Sequence, residues 1–496
     1  MKMKSKKLAL LFLSVLLVLS ILPMSALAAS RNLTEGAKAY IQVTNAVEND
    51  QLAAYKIIDT TYDAATNTLT HAWNSDFAAY FAGTSYSTVE AFSALTDESA
   101  ELKALLADLP QYIEDNSIAA VDTQTVAAGG TATFADLAMG EYFILPSAST
   151  SVYQLMLQKV QPTAPASSSD PYTIDDVTFA AKHREVNITK VADKTSVTKN
   201  EKVTYTITVD IPTYSDEAID KMFWVEDVMD DGLALDVASL KFTIESATVD
   251  ADAYTLTTDI SGNDTFKISV DNEKYNTYWK ANAAKQLVIT YTATLNADTT
   301  TVVNTKETNT AKFNYSFYPY TDNREEKTAS EEVNTFAIKI NKYRAGKPTT
   351  KLAGAKFDLY RSLTAAETAA GETGTPIPHT AGVPGKLLES GLPTDVNGVA
   401  TFEKYEANGT NYTYYLVETQ APSGYNLLDN AVAVNFTDAA VEATAGIYTV
   451  DVENSDGFQL PITGGTGTVI FTVIGIVLMG GAVVLFVVSR KRSKEK

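Results

Sequence analysis

Two sets of a lysine, an acid and an asparagine stand where strand parity turns them into a protein interior. Val186, Ile188 and Lys190 share one face; so do Phe223, Val225, Asp227 and Met229, and so do Asn309, Ala311, Phe313 and Tyr315. The same order returns downstream with Ile338, Ile340 and Lys342, then Tyr412, Tyr414, Leu416 and Glu418, then Tyr448, Val450, Val452 and Asn454. Burying a lone ammonium or carboxylate is expensive, so such groups are paired, neutral or chemically consumed. Desolvation lowers a lysine pKa and raises a carboxyl pKa, which favours a neutral amine beside a protonated acid able to polarise an asparagine carboxamide. Amine attack would then expel ammonia and leave an amide cross-link. Parity alone leaves the alternative open, that these are ordinary edge residues or hydrogen-bonded buried pairs.

Other chemistry has little to work with. The chain of 496 residues contains no Cys, which removes disulfides, thiolate metal sites and cysteine nucleophiles, and its three histidines, His71, His183 and His379, are scattered. Lys and Arg number 39 against 60 Asp and Glu, a net charge of −21 that argues against nucleic acid as a partner. The acidic cluster Glu226, Asp227, Asp230 and Asp231 lies in no D-x-D-x-D-G loop, so no metal or other cofactor is expected, and the chain does not read as an enzyme.

The elements that must hold the two triplets alternate with period two, as in Val203, Tyr205, Ile207, Val209 and Ile211. Breaks at 161–166 and in the polar stretch 319–334 divide the chain into segments 29–165, 172–334 and 335–456. In the first, Phe92, Leu95, Leu102, Leu105, Leu106, Leu109 and Ile113 keep helical spacing. The expected fold class is mainly β, with three tandem immunoglobulin-like β-sandwich domains, the first with an added helix.

Both ends read as targeting segments. Residues 1–28 combine Lys2, Lys4, Lys6 and Lys7, an apolar run and Ala26-Leu27-Ala28, the pattern of a secretory signal peptide. Residues 469–488 are apolar and long enough to cross a bilayer as a transmembrane helix, and the basic tail 489–496 behind them is expected on the cytoplasmic side. Just before the helix stands Leu460-Pro461-Ile462-Thr463-Gly464 at 460–464. The order of motif, apolar helix and basic tail resembles the L-P-x-T-G sorting signal of Gram-positive surface proteins, which implies sortase cleavage between Thr463 and Gly464.

Further motifs resemble those of sortase-assembled pilins. Tyr414-Tyr415-Leu416-Val417-Glu418-Thr419-Gln420-Ala421-Pro422-Ser423-Gly424-Tyr425 is similar to the pilin E-box Y-x-L-x-E-T-x-A-P-x-G-Y, and Lys342 with Leu352-Ala353-Gly354-Ala355-Lys356-Phe357 resembles the opening of a collagen-adhesin B-type domain. Phe223-Trp224-Val225-Glu226-Asp227-Val228-Met229 and Asn309-Thr310-Ala311 resemble an A-type domain. The resemblance implies isopeptide cross-links from Lys190 to Asn309, catalysed by Asp227, and from Lys342 to Asn454, catalysed by Glu418. Each would act as disulfides do elsewhere, contributing on the order of 2 to 4 kcal/mol.

For a major, or backbone, pilin the resemblance also implies an acceptor lysine near the end of the first domain. Lys159, in Tyr153-Gln154-Leu155-Met156-Leu157-Gln158-Lys159, holds that place, with Leu157-Gln158 where the family has Tyr-Pro; Lys182 is the nearest rival. The implied partners are a pilus-specific class C sortase, a housekeeping sortase, other copies of the chain head to tail, tip and anchor pilins, and peptidoglycan. The implied location is a secreted, cell-wall-anchored pilus supporting adhesion, the precursor being membrane-held. The alternative is a wall-anchored adhesin or minor pilin that is not polymerised through its own lysine.

Overall fold

The computed structural model describes residues 30–96, 99–165, 167, 170–258, 264–296, 306–457 and 466–492. The signal-peptide segment 1–28 and the motif at 460–464 lie outside the described residues.

Strand alternation builds most of the molecule. Lys202–Asp210 and Gln286–Leu295 each bury every second side chain, and they pair antiparallel with Tyr205 opposite Tyr291 and Ile207 opposite Ile289. Their sheet takes Ile188–Ala192 at one edge and Lys241–Ile244 beyond the other side. A second sheet runs Thr255–Thr258, Asp264–Val270, Phe223–Met229, Glu307–Ser316 and Arg324–Val333. Aromatic contact joins the two layers, with Phe266 set edge-on to Tyr291 at 5.2 Å. The polar stretch that reads as a break in the sequence is, from Arg324 to Val333, a ten-residue edge strand. One face of an edge strand meets solvent, which allows its run of Glu, Lys and Ser.

Residues 336–454 repeat the two-layer plan with different wiring. Phe336–Arg344 is flanked by Val399–Tyr405, antiparallel, and by Ile447–Asn454, parallel, so the first and last strands of the unit lie side by side. The facing sheet centres on Lys356–Ser362 between Pro384–Pro393 and Tyr414–Gln420. Ile338, Ile340, Phe357, Leu359, Phe402, Tyr414 and Leu416 fill the space between.

The N-terminal unit is less regular. A mixed sheet of Val177–Ala180, Lys38–Thr44 and Ala132–Ala138 faces one built on Gln51–Asp63, Gly140–Ala148 and Met156–Val160. Residues 177–180 and 183–185, which the sequence alone assigns to the second segment, pair here with strands of the first. The helical stretch splits into Val89–Ser93 and Ala100–Asp115, each started by a side-chain cap, Thr88 and Ser99, and a short helix Ala78–Ala82 precedes them. The apolar core runs unbroken from this unit into the next, whereas the 336–454 unit keeps its own. Polar contacts make that second junction, among them Lys199 to Glu389 at 2.7 Å. At the C-terminus Thr466–Arg492 is one helix, of which Phe471–Arg490 is long and apolar enough to cross a membrane.

One turn fixes the position of Lys342. Asp395 accepts from the amides of Asn397 and Val399, and Gly398, at φ +72°, passes its carbonyl to the Lys342 amide at 2.7 Å. A Cβ there would collide with the Lys342 carbonyl oxygen. Gly398→Ala is expected to destabilise this unit by about 1–3 kcal/mol, as left-handed strain plus a backbone clash. Thermal unfolding that leaves the unit unchanged would contradict this account of the turn.

Candidate functional site

The first triplet closes between the two sheets of the middle unit. Lys190 comes from the edge strand of one sheet, Asp227 and Asn309 from adjacent strands of the other, and all three are buried. The Lys190 ammonium donates to Asp227 Oδ2, to Asn309 Oδ1 at 2.6 Å and to the Tyr291 hydroxyl at 2.9 Å. Tyr291 donates to Asp227 Oδ2 at 2.7 Å and accepts from Asn309 Nδ2 at 3.1 Å. Tyr205 and Tyr291, stacked at 5.6 Å, wall the site, with Lys190 Nζ 5.2 Å from the Tyr205 ring centre. Burial pushes the lysine down to about 8 against the pull of Asp227, and pushes Asp227 up against the pull of Lys190.

The second triplet is assembled differently. Lys342 and Asn454 sit on neighbouring parallel strands, two positions out of register, and Glu418 reaches them from the facing sheet. Lys342 Nζ donates to Asn454 Oδ1 and lies 3.6 Å from Glu418 Oε1. Asn454 Nδ2 donates to both carboxylate oxygens, at 3.1 and 2.9 Å, and to the Asn426 carbonyl at 2.6 Å. The Leu428 amide holds Glu418 Oε2 at 3.0 Å. Burial again brings the lysine down to about 8, opposed by Glu418. In both units an amine with a depressed pKa faces an amide carbonyl with a carboxyl alongside, the set that amine attack with loss of ammonia requires.

Lys159 lies apart from these sites. It stands opposite Glu141 on the strand pair 156–160 and 140–148, its ammonium 3.1 Å from Glu141 Oε1. Glu141 is fully buried and also accepts from Gln161 Nε2 at 3.1 Å, while the lysine side chain keeps 38% of its surface exposed. Lys182 is exposed and helps line a groove of about 480 Å³ shared by Leu157, Gln158, Glu217 and Tyr320.

Two family models match the chain. Residues 336–451 match the SpaA prealbumin-like fold domain, and residues 452–495 match the LPXTG cell wall anchor motif. The T6 backbone pilin of Streptococcus pyogenes is similar in fold over 81% of this chain and 81% of its own, at 20% identity and a TM-score of 0.57. The major pilin SpaA of Corynebacterium diphtheriae is similar over 84% of this chain and all of its own, at 17% identity and a TM-score of 0.54. The chain is pilin-like in fold and carries a match to the cell wall anchor motif. A curated relative, fimbrial subunit type 1 of Actinomyces viscosus, is 34% identical over 90 residues, and the match spans 17% of that relative's length.

Four participants in this pilin-like structure have no place in the sequence-based expectations. Tyr291 occupies an inward position in the run Leu287, Ile289, Tyr291, Ala293 and Leu295, so parity could have found it. Glu141 is the lone acid in the buried run Gly140–Pro146, a signal of composition and not of parity. The Asn426 carbonyl and Leu428 amide that hold the second site are backbone groups, for which no side-chain pattern exists.

Removing Asp227 leaves the Lys190 ammonium buried without its counter-charge. Asp227→Ala is therefore expected to destabilise the middle unit by about 3–5 kcal/mol. Calorimetry should show that unit's transition falling while the transition of the 336–454 unit stays in place; an unmoved transition would mean that the ion pair contributes little.

Proposed function

We propose that the chain is the structural backbone subunit of a covalently polymerised pilus. A sortase would cleave after Thr463 and pass its carbonyl to Lys159 of another copy, so each subunit gains a covalent neighbour at either end. Such head-to-tail contact does not close on itself and grows a linear fibre. The observation that carries the reading is the pair of buried lysine, acid and asparagine sets in successive units of a cysteine-free, cell-wall-anchored chain. Each set would form one Lys–Asn amide in a single intramolecular turnover, with no catalysis on outside substrates. The similar major pilin SpaA of C. diphtheriae points to a modular pilus assembly with stabilising isopeptide bonds.

The two bonds would span 119 and 112 residues. By the chain-entropy argument used for disulfides, loops of that size constrain the unfolded ensemble by about 4–5 kcal/mol each, an upper bound that native-state strain brings down toward the 2–4 kcal/mol typical of such cross-links. One bond would tie the two sheets of the middle unit; the other would tie the first and last strands of the next. For Lys159, the support is its position: a half-exposed amine held against a buried carboxylate at the end of a strand.

Denaturing gels of cell-wall extract should show a ladder of high-mass species that collapses to monomer in Lys159→Ala. A surviving ladder would move the acceptor elsewhere, Lys182 first. A wild type with no ladder would favour a singly anchored adhesin. Within each subunit the reactive state is a neutral amine beside a protonated acid, the two sharing one proton, so bond formation should hold up to a pH of about 8 and slow above it as that proton is lost to solvent. Intact mass followed against pH reads the loss of ammonia directly, and a rate still climbing above pH 8 would contradict the shared proton.

A further inference from the structure

The two sites differ in how the acid reaches the nitrogen that must leave. In the 336–454 unit Glu418 touches Asn454 Nδ2 with both oxygens. In the middle unit Asp227 engages Lys190 and Tyr291 through Oδ2, and its Oδ1 is buried without a hydrogen-bond partner. What Asn309 Nδ2 touches instead is the Tyr291 hydroxyl, at 3.1 Å. That one oxygen therefore meets the amine, the acid and the leaving nitrogen. We infer that Tyr291 is a catalytic proton relay, carrying a proton from Asp227 to Asn309 Nδ2 as the Lys190 to Asn309 bond forms.

The inference rests on the isopeptide reading above, and its balance is simple. Lys190 gives one proton to Asp227 and becomes a neutral amine. Its Nζ then bonds to Asn309 Cγ, and the tetrahedral centre carries a surplus proton on Nζ. That proton passes to Asp227 as Asp227 gives its own to the Tyr291 oxygen and Tyr291 gives its hydroxyl proton to Nδ2. The Cγ–Nδ2 bond breaks, ammonia departs and Tyr291 ends as it began, while Asp227 keeps the proton it first took from the Lys190 ammonium until the departing ammonia or solvent carries it away. No oxidant, metal or outside nucleophile is required. Positioned proton transfer of this kind contributes about 10²–10⁴-fold to a rate. The Glu418 site needs no such intermediary, because its carboxyl already touches the nitrogen it must protonate.

The test uses the full chain, pulse-labelled in cells, purified at intervals and followed by intact mass and by mapping of the cross-linked peptides. Wild type should lose two ammonias. Tyr291→Phe keeps the ring that stacks on Tyr205, and it should form the Lys342 to Asn454 bond at the normal rate while the Lys190 to Asn309 bond slows by about 10²-fold or more. Tyr275→Phe is the control: it removes a buried hydroxyl of the same unit, one whose partners are the Pro212 carbonyl and the Tyr214 amide, and should leave both rates unchanged. Equal slowing in the two variants would reduce the effect to packing and overturn the relay, as would a normal rate in Tyr291→Phe. A wild type that keeps both ammonias would instead overturn the isopeptide reading itself.

Discussion

A lysine ammonium taken into the space between two β-sheets must be met by an acid, and that requirement organises both sites. Water solvates a charge from all sides, while a sandwich interior offers only the few groups the surrounding strands can aim. In the middle unit these are Asp227, Asn309 and Tyr291, supplied by strands from both layers. Moving any of those strands by one residue would turn its polar member to solvent and leave the lysine stranded. The register of the surrounding sheets is thus tied to the pairing of one cation.

The two units satisfy the same requirement through different geometry. Lys190 meets its amide across the gap between sheets, and Lys342 meets its amide along one sheet, across a parallel strand pair. In the first arrangement the acid shares its reach with a tyrosine; in the second the longer glutamate side chain touches amine and amide together. A parallel pairing of first and last strands also means that pulling the termini of that unit apart loads the very strands that carry Lys342 and Asn454. In the middle unit Lys190, likewise near the start, is joined to the layer that holds the closing strands. A bond formed at either site, as proposed, would lie between the ends through which a fibre would transmit force.

Units that must act in series also have to hold together, and the junctions do so by unlike means. A continuous apolar core joins the first two units, reinforced where the Tyr315 hydroxyl donates to the Thr150 carbonyl at 2.6 Å. The second and third meet through ion pairs and hydrogen bonds, a type of contact that salt screens when exposed. The N-terminal pair therefore behaves as one body more nearly than the C-terminal pair does. Lys159, on a strand of the first unit with Glu141 beneath it, belongs to the more firmly joined part.

Side-chain alternation makes much of this legible in the chain itself. Period two groups residues by face, and the apolar company of Lys190, Asp227, Asn309, Lys342, Glu418 and Asn454 marks them as candidates for the inside, a placement the fold then decides; the apolar helix at the C-terminus is plain from composition. What period two does not carry is which strand lies beside which. The edge strand Arg324–Val333 looks like a break because one of its faces is solvated, and residues 177–185 look like the start of a second segment although their partners lie in the first. Tyr291 lies open to the same parity argument as its neighbours, yet only the fold shows its hydroxyl meeting amine, acid and amide at one point. Facing is a property of the chain's own geometry, whereas adjacency is decided by long-range pairing that local sequence does not encode.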